Sequence, residues 1–254
     1  MSVKMIVTDL DRTLLRTDKT ISDYTADILN RCRERGIKVV FATARPKRTV
    51  KHFFECIPAD AVILHNGAVI YVDDSLFHCC GIASDIKNNI LLSISKDYPS
   101  INLSVEIEDM IYANFDISEV WNNTAVIQTD FTDLPDKSAD KIIIRVSAMD
   151  DVERFAKYLT DDLYIEMNDG KLGLIMNRGA SKWRAIQALS RHYEVDTSEI
   201  VAFGDDYNDI EMLKNCGVGI AMANALDEAK EIADFISDSN DEDGVARWLE
   251  ENVL

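Results

Sequence analysis

The chain has 254 residues, 47% hydrophobic and 28% charged, a composition typical of a globular protein with one large or two modest domains. Its net charge of −18 disfavours nucleic acid and anionic membranes as partners, and no run approaches the ~18 apolar residues of a membrane span. No signal segment precedes the first apolar run, so we expect a cytoplasmic protein. We also expect a monomer or a weak homo-oligomer. The five cysteines form no CxxC pair and predict neither a disulfide framework nor a zinc site.

Apolar runs alternate with segments of helical periodicity in the first part of the chain. The predicted strands cover residues 4–8, 37–42 and 61–64, and the predicted helices cover residues 20–35 and 46–57. Continuous apolar strands that alternate with helices indicate a parallel sheet covered on both faces.

The pattern changes after the segment AVILHNGAVIYV, whose Asn66-Gly67 pair is typical of a hairpin with a type I′ turn. Helices are predicted over residues 86–98 and 152–159, among several runs that alternate apolar and polar residues. Such alternation favours a sheet with one covered face. We therefore predict an inserted α+β domain over residues 79–178.

The first pattern resumes at Ser181 with an amphipathic helix and the strand-like runs EIVAFGDD and VGIAMAN. A short helix lies between these strands, and the segments ALDEAKEIADFI and GVARWLEENVL are predicted to be helical. The predicted fold class is α/β: a Rossmann-like parallel sheet with helices on both faces. Residues 1–78 and 179–254 would form this core, with the insert between them.

Three predicted strands end in polar side chains. These are Asp9 and Asp11, Thr43 and Arg45, and Asp205 and Asp209. Ligands of parallel α/β sheets bind at the carboxyl ends of the strands. Two unit charges ~4 Å apart repel by about 4 kcal/mol at an effective dielectric of 20, so converging aspartates would share a proton or bind a cation. Oxygen ligands without His or Cys suit Mg²⁺, which in turn attracts an anion.

Thr43 and Lys182 are candidates to contact that anion. Ser181 is a predicted N-cap, which places Lys182 in a first helical turn, where the helix dipole disfavours a cation that has no anion to face. For each of these residues taken singly, a role as turn former, cap or surface side chain remains an alternative. Asp209 in particular could simply cap the following helix.

The motifs resemble those of the haloacid dehalogenase superfamily of phosphatases. DLDRTLL matches its DxDxT signature, FATAR its second motif, SKWRAI its lysine motif and GDDYNDIEML its GDxxND motif. All four occur in order across the whole chain. The hairpin, the long insert and the late DEDGVARWLEE resemble the Cof-type subfamily with a large α/β cap that governs specificity.

The resemblance implies a Mg²⁺-dependent phosphatase that hydrolyses small phosphorylated metabolites, such as sugar phosphates, through an aspartyl-phosphate. It makes Asp9 the nucleophile and Asp11 the acid that protonates the leaving alcohol and then deprotonates water. Asp9, the backbone carbonyl of Asp11, and Asp205 would hold the metal, and Thr43 and Lys182 would bind phosphoryl oxygens. The remaining implied roles are support of the metal and Lys182 by Asn208 and Asp209, and substrate contacts by Arg45 and Asn66.

Two further expectations concern the DxDxT segment. The neighbouring like charge should raise the pKa of Asp11, which suits an acid catalyst. Arg12 stands where the family usually has glycine, so we expect an ordinary backbone conformation there and a side chain that reaches outward toward the cap. It is a candidate substrate contact, with a surface arginine without such a role as the favoured alternative.

Three other functions fit parts of the pattern. A phosphomutase or phosphotransferase would use the same chemistry and pass the phosphoryl group to a sugar. A receiver-type signalling module also clusters acids, a Thr and a Lys on a parallel sheet, but is about half this length and lacks an inserted domain. A catalytically inactive scaffold is disfavoured by the intact acids.

Overall fold

A computed structural model describes residues 2–117, 125–146, 152–168 and 170–254, without the side chains of residues 55, 56 and 168. The chain divides into two compact units, which we call the core unit (Met1–Cys79 with Ser181–Leu254) and the insert unit (Cys80–Ala180). Within the described residues, no helix combines the length and the apolar character that crossing a bilayer requires.

Strands and helices alternate in the first and last parts of the chain, and strands predominate between them. The strands are β1 (Met5–Thr8), β2 (Lys38–Ala42), β3 (Ala61–Leu64), β4 (Val69–Val72), β5 (Ser75–Cys79), β6 (Leu103–Ile107), β7 (Met110–Ala113), β8 (Val126–Gln128), β9 (Lys141–Arg145), β10 (Leu163–Asn168), β11 (Leu172–Asn177), β12 (Ile200–Gly204), β13 (Val218–Ala221) and β14 (Phe235–Ile236). The helices are α1 (Asp23–Glu34), α2 (Lys47–Val50), α3 (Phe53–Cys56), α4 (Ser84–Asp97), α5 (Lys182–Tyr193), α6 (Ile210–Asn215), α7 (Asp227–Ile232) and α8 (Gly244–Asn252).

The core unit is built on an eight-stranded sheet of order β14-β13-β12-β1-β2-β3-β4-β5. The six strands from β14 to β3 are parallel, and β4 and β5 extend the sheet antiparallel to them. All four residues of β1 are buried, as a central strand between two covered faces requires. The predicted α/β class with a parallel sheet is confirmed.

The insert unit contains a six-stranded sheet of order β10-β11-β9-β6-β7-β8, antiparallel except between β7 and β8. Helix α4 contributes Ile90, Leu91 and Ile94 to a core cluster with one face of this sheet. The expectation of a single covered face is wrong at β6, where all five residues are buried. A second buried cluster, which includes Ile143 of β9 and Leu174 of β11, lies on the opposite face, so burial extends to both faces of this sheet.

The hairpin predicted at Asn66-Gly67 forms, but its turn is not a two-residue type I′ turn. Leu64 pairs with Val69, so residues 65–68 make the turn, and φ is positive at 65, 66 and 67. Gly67 (φ 105°) lies so close to Ser181 that a Cβ would come within 2.3 Å of its carbonyl oxygen. The wider turn therefore depends on a glycine and packs against the start of α5.

Three predicted helices are shorter than their patterns indicate. The helix expected over residues 46–57 is split into α2 and α3, and the region 152–159 has two helical residues followed by a 3₁₀ turn, Ala156–Tyr158. Helix α7 ends at Ile232, and Phe235 and Ile236 pair with β13 instead. Aromatic and β-branched residues favour strands, and here the open edge of the sheet gives them a partner.

Asp60 connects three elements of the core unit just before β3. Its carboxylate accepts hydrogen bonds from the backbone N–H of Val39 (3.0 Å), Nζ of Lys38 (2.9 Å) and Nε of Arg33 (3.1 Å). Its carbonyl oxygen accepts one from the hydroxyl of Tyr193 (2.9 Å). Burial alone would raise the pKa of Asp60, but these three donors outweigh it and lower the pKa below its ordinary value.

We expect Asp60→Asn to lower the free energy of unfolding by about 2 kcal/mol at neutral pH, because the amide loses the charge-assisted hydrogen bonds. A carboxylate with a lowered pKa stabilises the fold above its unfolded pKa, about 3.9, and this contribution is lost as the pH falls through the folded pKa. Urea unfolding at decreasing pH should therefore show the variant and the wild type converging.

The control is Asp27→Asn on the exposed side of α1, with an expected change below about 0.5 kcal/mol. A difference between Asp60→Asn and wild type that stays constant down to acidic pH would contradict the ionic role of Asp60.

Candidate active site

The order of the sheet brings together the predicted site residues that follow its strands. Strand β1 lies between β12 and β2, with Thr8 in register with both Phe203 and Phe41. Asp9 follows β1, Thr43 follows β2 and Asp205 follows β12. These three buried residues therefore occupy neighbouring positions at the carboxyl edge of the parallel sheet.

Lys182 is the cation at the centre of the site. It begins α5, whose predicted N-cap is confirmed, since the hydroxyl of Ser181 accepts a hydrogen bond from the backbone N–H of Arg184. The side chain is fully buried, with Nζ 2.6 Å from Oδ1 of Asp9 and 2.7 Å from Oδ1 of Asp209. Burial would lower the pKa of Lys182, but the two carboxylates outweigh it and raise the pKa. Lys182 is thus held as a cation.

Asp209 shapes the loop that follows β12. Its Oδ2 accepts hydrogen bonds from the backbone N–H of Asp205 (2.9 Å) and Asp206 (3.1 Å), in a capping box with Asp206. A Cβ at Gly204 would lie 2.4 Å from Cβ of Asp209, so only glycine leaves room for this side chain. Asp209 thus closes the capping box of the 3₁₀ turn Tyr207–Asp209, its side chain makes no cap hydrogen bond to the following helix α6, and the same carboxylate also holds Lys182.

Three buried carboxylates form a cluster that could hold a metal ion. Asp9, Asp205 and Asp209 each offer an oxygen, and these oxygens lie within 4.8 Å of one another. Burial raises the pKa of Asp9 to about 8, opposed by Lys182 and increased by Asp209 and Asp205. Burial and the neighbouring Asp209 raise the pKa of Asp205 to about 6. Both shifts come first from burial, and the neighbouring carboxylates add to it. A divalent ion bound by oxygen ligands would fit this set.

The two oxygens of Asp9 differ in their surroundings. Oδ1 accepts a hydrogen bond from Lys182, whereas Oδ2 accepts none from any residue that the structure describes. One oxygen is thereby fixed in position, and the other is available to an ion or to a reacting group.

Asp11 lies in a different environment from Asp9. Its two carboxylate oxygens accept hydrogen bonds from Nε and Nη2 of Arg45, and Nζ of Lys19 lies 2.7 Å from Oδ1. The expectation of a raised pKa is wrong: burial acts in that direction, but the hydrogen bonds from Arg45 and Lys19 outweigh it and lower the pKa of Asp11. The side chain is engaged by these cations and is not part of the buried carboxylate cluster.

Arg12 does not have the ordinary backbone conformation expected from the sequence. Its φ is 61°, in the left-handed region that the family's usual glycine favours. Its Nη2 donates to the carbonyl oxygen of Asn224 at 3.0 Å, and its Nε lies 3.7 Å from Oδ2 of Asp205. The side chain is more than half exposed and also lies near the site itself, and its reach outward toward the cap stays a prediction.

The remaining predicted residues lie around this centre. The hydroxyl of Thr43 accepts a hydrogen bond from the backbone N–H of Arg45 (3.2 Å). Nδ2 of Asn208 donates to Oδ1 of Asn66 (2.9 Å), which joins the hairpin turn to the loop after β12. Among the described contacts, Thr43 does not bond to Asp9, and Asn208 does not bond to Lys182.

Three residues near the site were not assigned roles from the sequence. Thr13, the last residue of the DxDxT motif, donates to Oδ1 of Asp205 at 3.0 Å. Asn224 donates to the carbonyl oxygen of Arg12 at 2.7 Å, and its position just after β13 was a signal of the same kind as the other strand ends. No sequence pattern indicates that Lys19 lies near the site.

Comparisons with known proteins agree with this geometry. The family of haloacid dehalogenase-like hydrolases matches residues 6–249. The 5-amino-6-(5-phospho-D-ribitylamino)uracil phosphatase YitU of Bacillus subtilis (strain 168) is 32% identical, over 97% of this chain and 96% of that protein. The HMP-PP phosphatase of Enterobacter sp. (strain 638) is 28% identical, over 86% and 83%. The solved structure of TM0651 from Thermotoga maritima superposes with a TM-score of 0.90 over 99% and 98% at 23% identity, which shows a shared fold. The chain belongs to the haloacid dehalogenase-like hydrolases.

Proposed function

We propose that this haloacid dehalogenase-type phosphatase requires Mg²⁺ and hydrolyses small phosphorylated metabolites through an aspartyl-phosphate on Asp9. The observation that carries the proposal is the buried Asp9 carboxylate, with Oδ1 on Lys182 and Oδ2 without a described hydrogen bond. It lies in one cluster with Asp205 and Asp209. Such a carboxylate is suited to act as a nucleophile beside a bound cation.

Asp9, Asp205 and the backbone carbonyl of Asp11 would hold the metal ion. Asp209 already uses both oxygens, on Lys182 and on two backbone N–H groups, so its proposed role is to support the site together with Asn208. When bound, Mg²⁺ supplies positive charge that offsets the clustered carboxylates and the phosphoryl oxygens.

In the first step, Oδ2 of Asp9 attacks phosphorus while the bond from phosphorus to the leaving alcohol oxygen breaks. Lys182 and Thr43 would bind phosphoryl oxygens, and Lys182 keeps Asp9 oriented through its 2.6 Å contact with Oδ1. A proton from Asp11 passes to the departing alkoxide, so the alcohol leaves neutral.

In the second step, a water molecule attacks the aspartyl-phosphate, Asp11 removes a proton from that water, and inorganic phosphate and free Asp9 result. Asp11 must leave its pairs with Arg45 and Lys19 before it can carry a proton, because those cations favour the ionised form. An anionic substrate would compete with Asp11 for the same two cations, which assigns Arg45 a part in substrate binding along with Asn66.

The substrate class is proposed from the chemistry and from the relatives' names. YitU is named for a ribitylaminouracil phosphate and the Enterobacter protein for HMP-PP, both phosphorylated small molecules. We assign catalysis to the core and substrate selection to the inserted domain over residues 79–178. The net charge of −18 disfavours nucleic-acid and membrane partners. A cytoplasmic location and a monomeric or weakly homo-oligomeric state stay our expectations.

We expect Asp9→Asn to lower kcat by about 10⁴-fold or more, since an amide is too weak a nucleophile to replace the carboxylate. Phosphate release from a panel of phosphorylated metabolites measures this. Asp227→Asn makes the same change on the exposed start of α7 and should retain wild-type rates. Full activity in Asp9→Asn would rule out the covalent mechanism, and transfer of phosphate to a second sugar by the wild type would indicate a phosphotransferase.

We expect chelation to abolish activity and Mg²⁺ to restore it, with Asp205→Asn raising the half-maximal Mg²⁺ concentration by at least about tenfold. The matched control is Asp206→Asn next to it, whose side chain caps the backbone N–H of Tyr207, a bond that asparagine also makes. Equal Mg²⁺ requirements in the two variants would exclude Asp205 as a ligand.

A further inference from the structure

Arg12 is held in place at both of its ends. Its guanidinium donates to the carbonyl oxygen of Asn224 (3.0 Å), and its own carbonyl accepts from Nδ2 of Asn224 (2.7 Å). Asn224 is itself fixed, because its Oδ1 accepts the backbone N–H of Asn240 (3.0 Å). A residue with φ 61° that is not glycine is strained, so this conformation is retained by its surroundings.

The guanidinium is more than half exposed, and its Nε lies within ion-pair distance of the carboxylate of Asp205. Oδ1 of this buried side chain accepts a hydrogen bond from Thr13, and Oδ2 has Nε of Arg12 at 3.7 Å. Both oxygens are therefore engaged, one by a hydroxyl and the other by a cation. A divalent ion at Asp205 would meet the positive charge of Arg12 at short range.

We propose that Arg12 is a built-in counter-ion of Asp205 that competes with the divalent cation and weakens its binding. This inference rests on the metal site of the proposed function. Arg12 is thereby a positioning residue: it keeps Asp205 paired when no ion is bound, and it must give up this contact when one binds. Glycine at the same position would remove the cation beside Oδ2 of Asp205 and leave that oxygen to the ion.

The test is Mg²⁺ binding to EDTA-stripped protein by calorimetry, with Mn²⁺ binding by electron paramagnetic resonance as a second measurement and no substrate present. Arg12→Asn removes the charge with a residue that tolerates positive φ, and we expect about tenfold tighter binding of both ions. Arg12→Gly should tighten binding of both ions to the same extent, and it replaces Arg12→Asn in the test if that variant does not fold. Arg12→Lys keeps the charge and should remain within about threefold of wild type.

Lys19→Asn is the matched control, because Lys19 also has a positive φ (65°) and is also a cation, but pairs with Asp11. We expect Lys19→Asn to change the dissociation constants of Mg²⁺ and Mn²⁺ by less than about threefold. The role of Arg12 is overturned if Arg12→Asn and Arg12→Gly bind Mg²⁺ and Mn²⁺ no more tightly than the wild type. It is also overturned if Lys19→Asn or Arg12→Lys tightens binding as much as the neutral variants do. If neither the wild type nor Asp205→Asn binds Mg²⁺ or Mn²⁺, the proposed metal site is wrong, and this inference fails with it.

Discussion

The site depends on the ion pairs that the buried ammonium of Lys182 makes with two carboxylates. Lys182 joins the end of β1, through Asp9, to the loop after β12, through Asp209, and it lies at the start of α5. A fully buried lysine is tolerated only where its charge is compensated, and removal of one partner from a buried pair costs several kcal/mol. The three segments come from both ends of the chain, so Lys182 ties them into one centre.

Two glycines make this arrangement sterically feasible. Gly204 leaves space for the side chain of Asp209, and Gly67 lets the hairpin turn approach the backbone of Ser181, directly before Lys182. In both places a Cβ would fall within 2.5 Å of another atom, so both positions require space, and Gly67, with φ 105°, requires backbone freedom as well. The fold thus supports the ionic centre from two sides through close backbone approach.

Much of the fold and the site could be predicted because both follow from local patterns. Buried strands, their parallel order and the polar residues at their ends place Asp9, Thr43 and Asp205 at one sheet edge. What could not be predicted depends on contacts between distant residues: the pairing of Asp11 with Arg45 and the left-handed backbone of Arg12. The four-residue turn after β3 likewise depends on its packing against Ser181, which the Asn-Gly signal does not encode.

The different environments of Asp9 and Asp11 show how one motif gives two carboxyl groups of different character. Asp9 is buried among carboxylates, and its pKa is raised, whereas Asp11 faces Arg45 and Lys19, and its pKa is lowered. In the proposed mechanism each shift must be reversed, because the nucleophile has to be ionised and the acid has to carry a proton. A bound cation would oppose the first shift through its positive charge beside Asp9. An anionic substrate would oppose the second by competing with Asp11 for Arg45 and Lys19. In the proposed mechanism, a bound cation and an anionic substrate would therefore supply the charge of each sign that the two aspartates need.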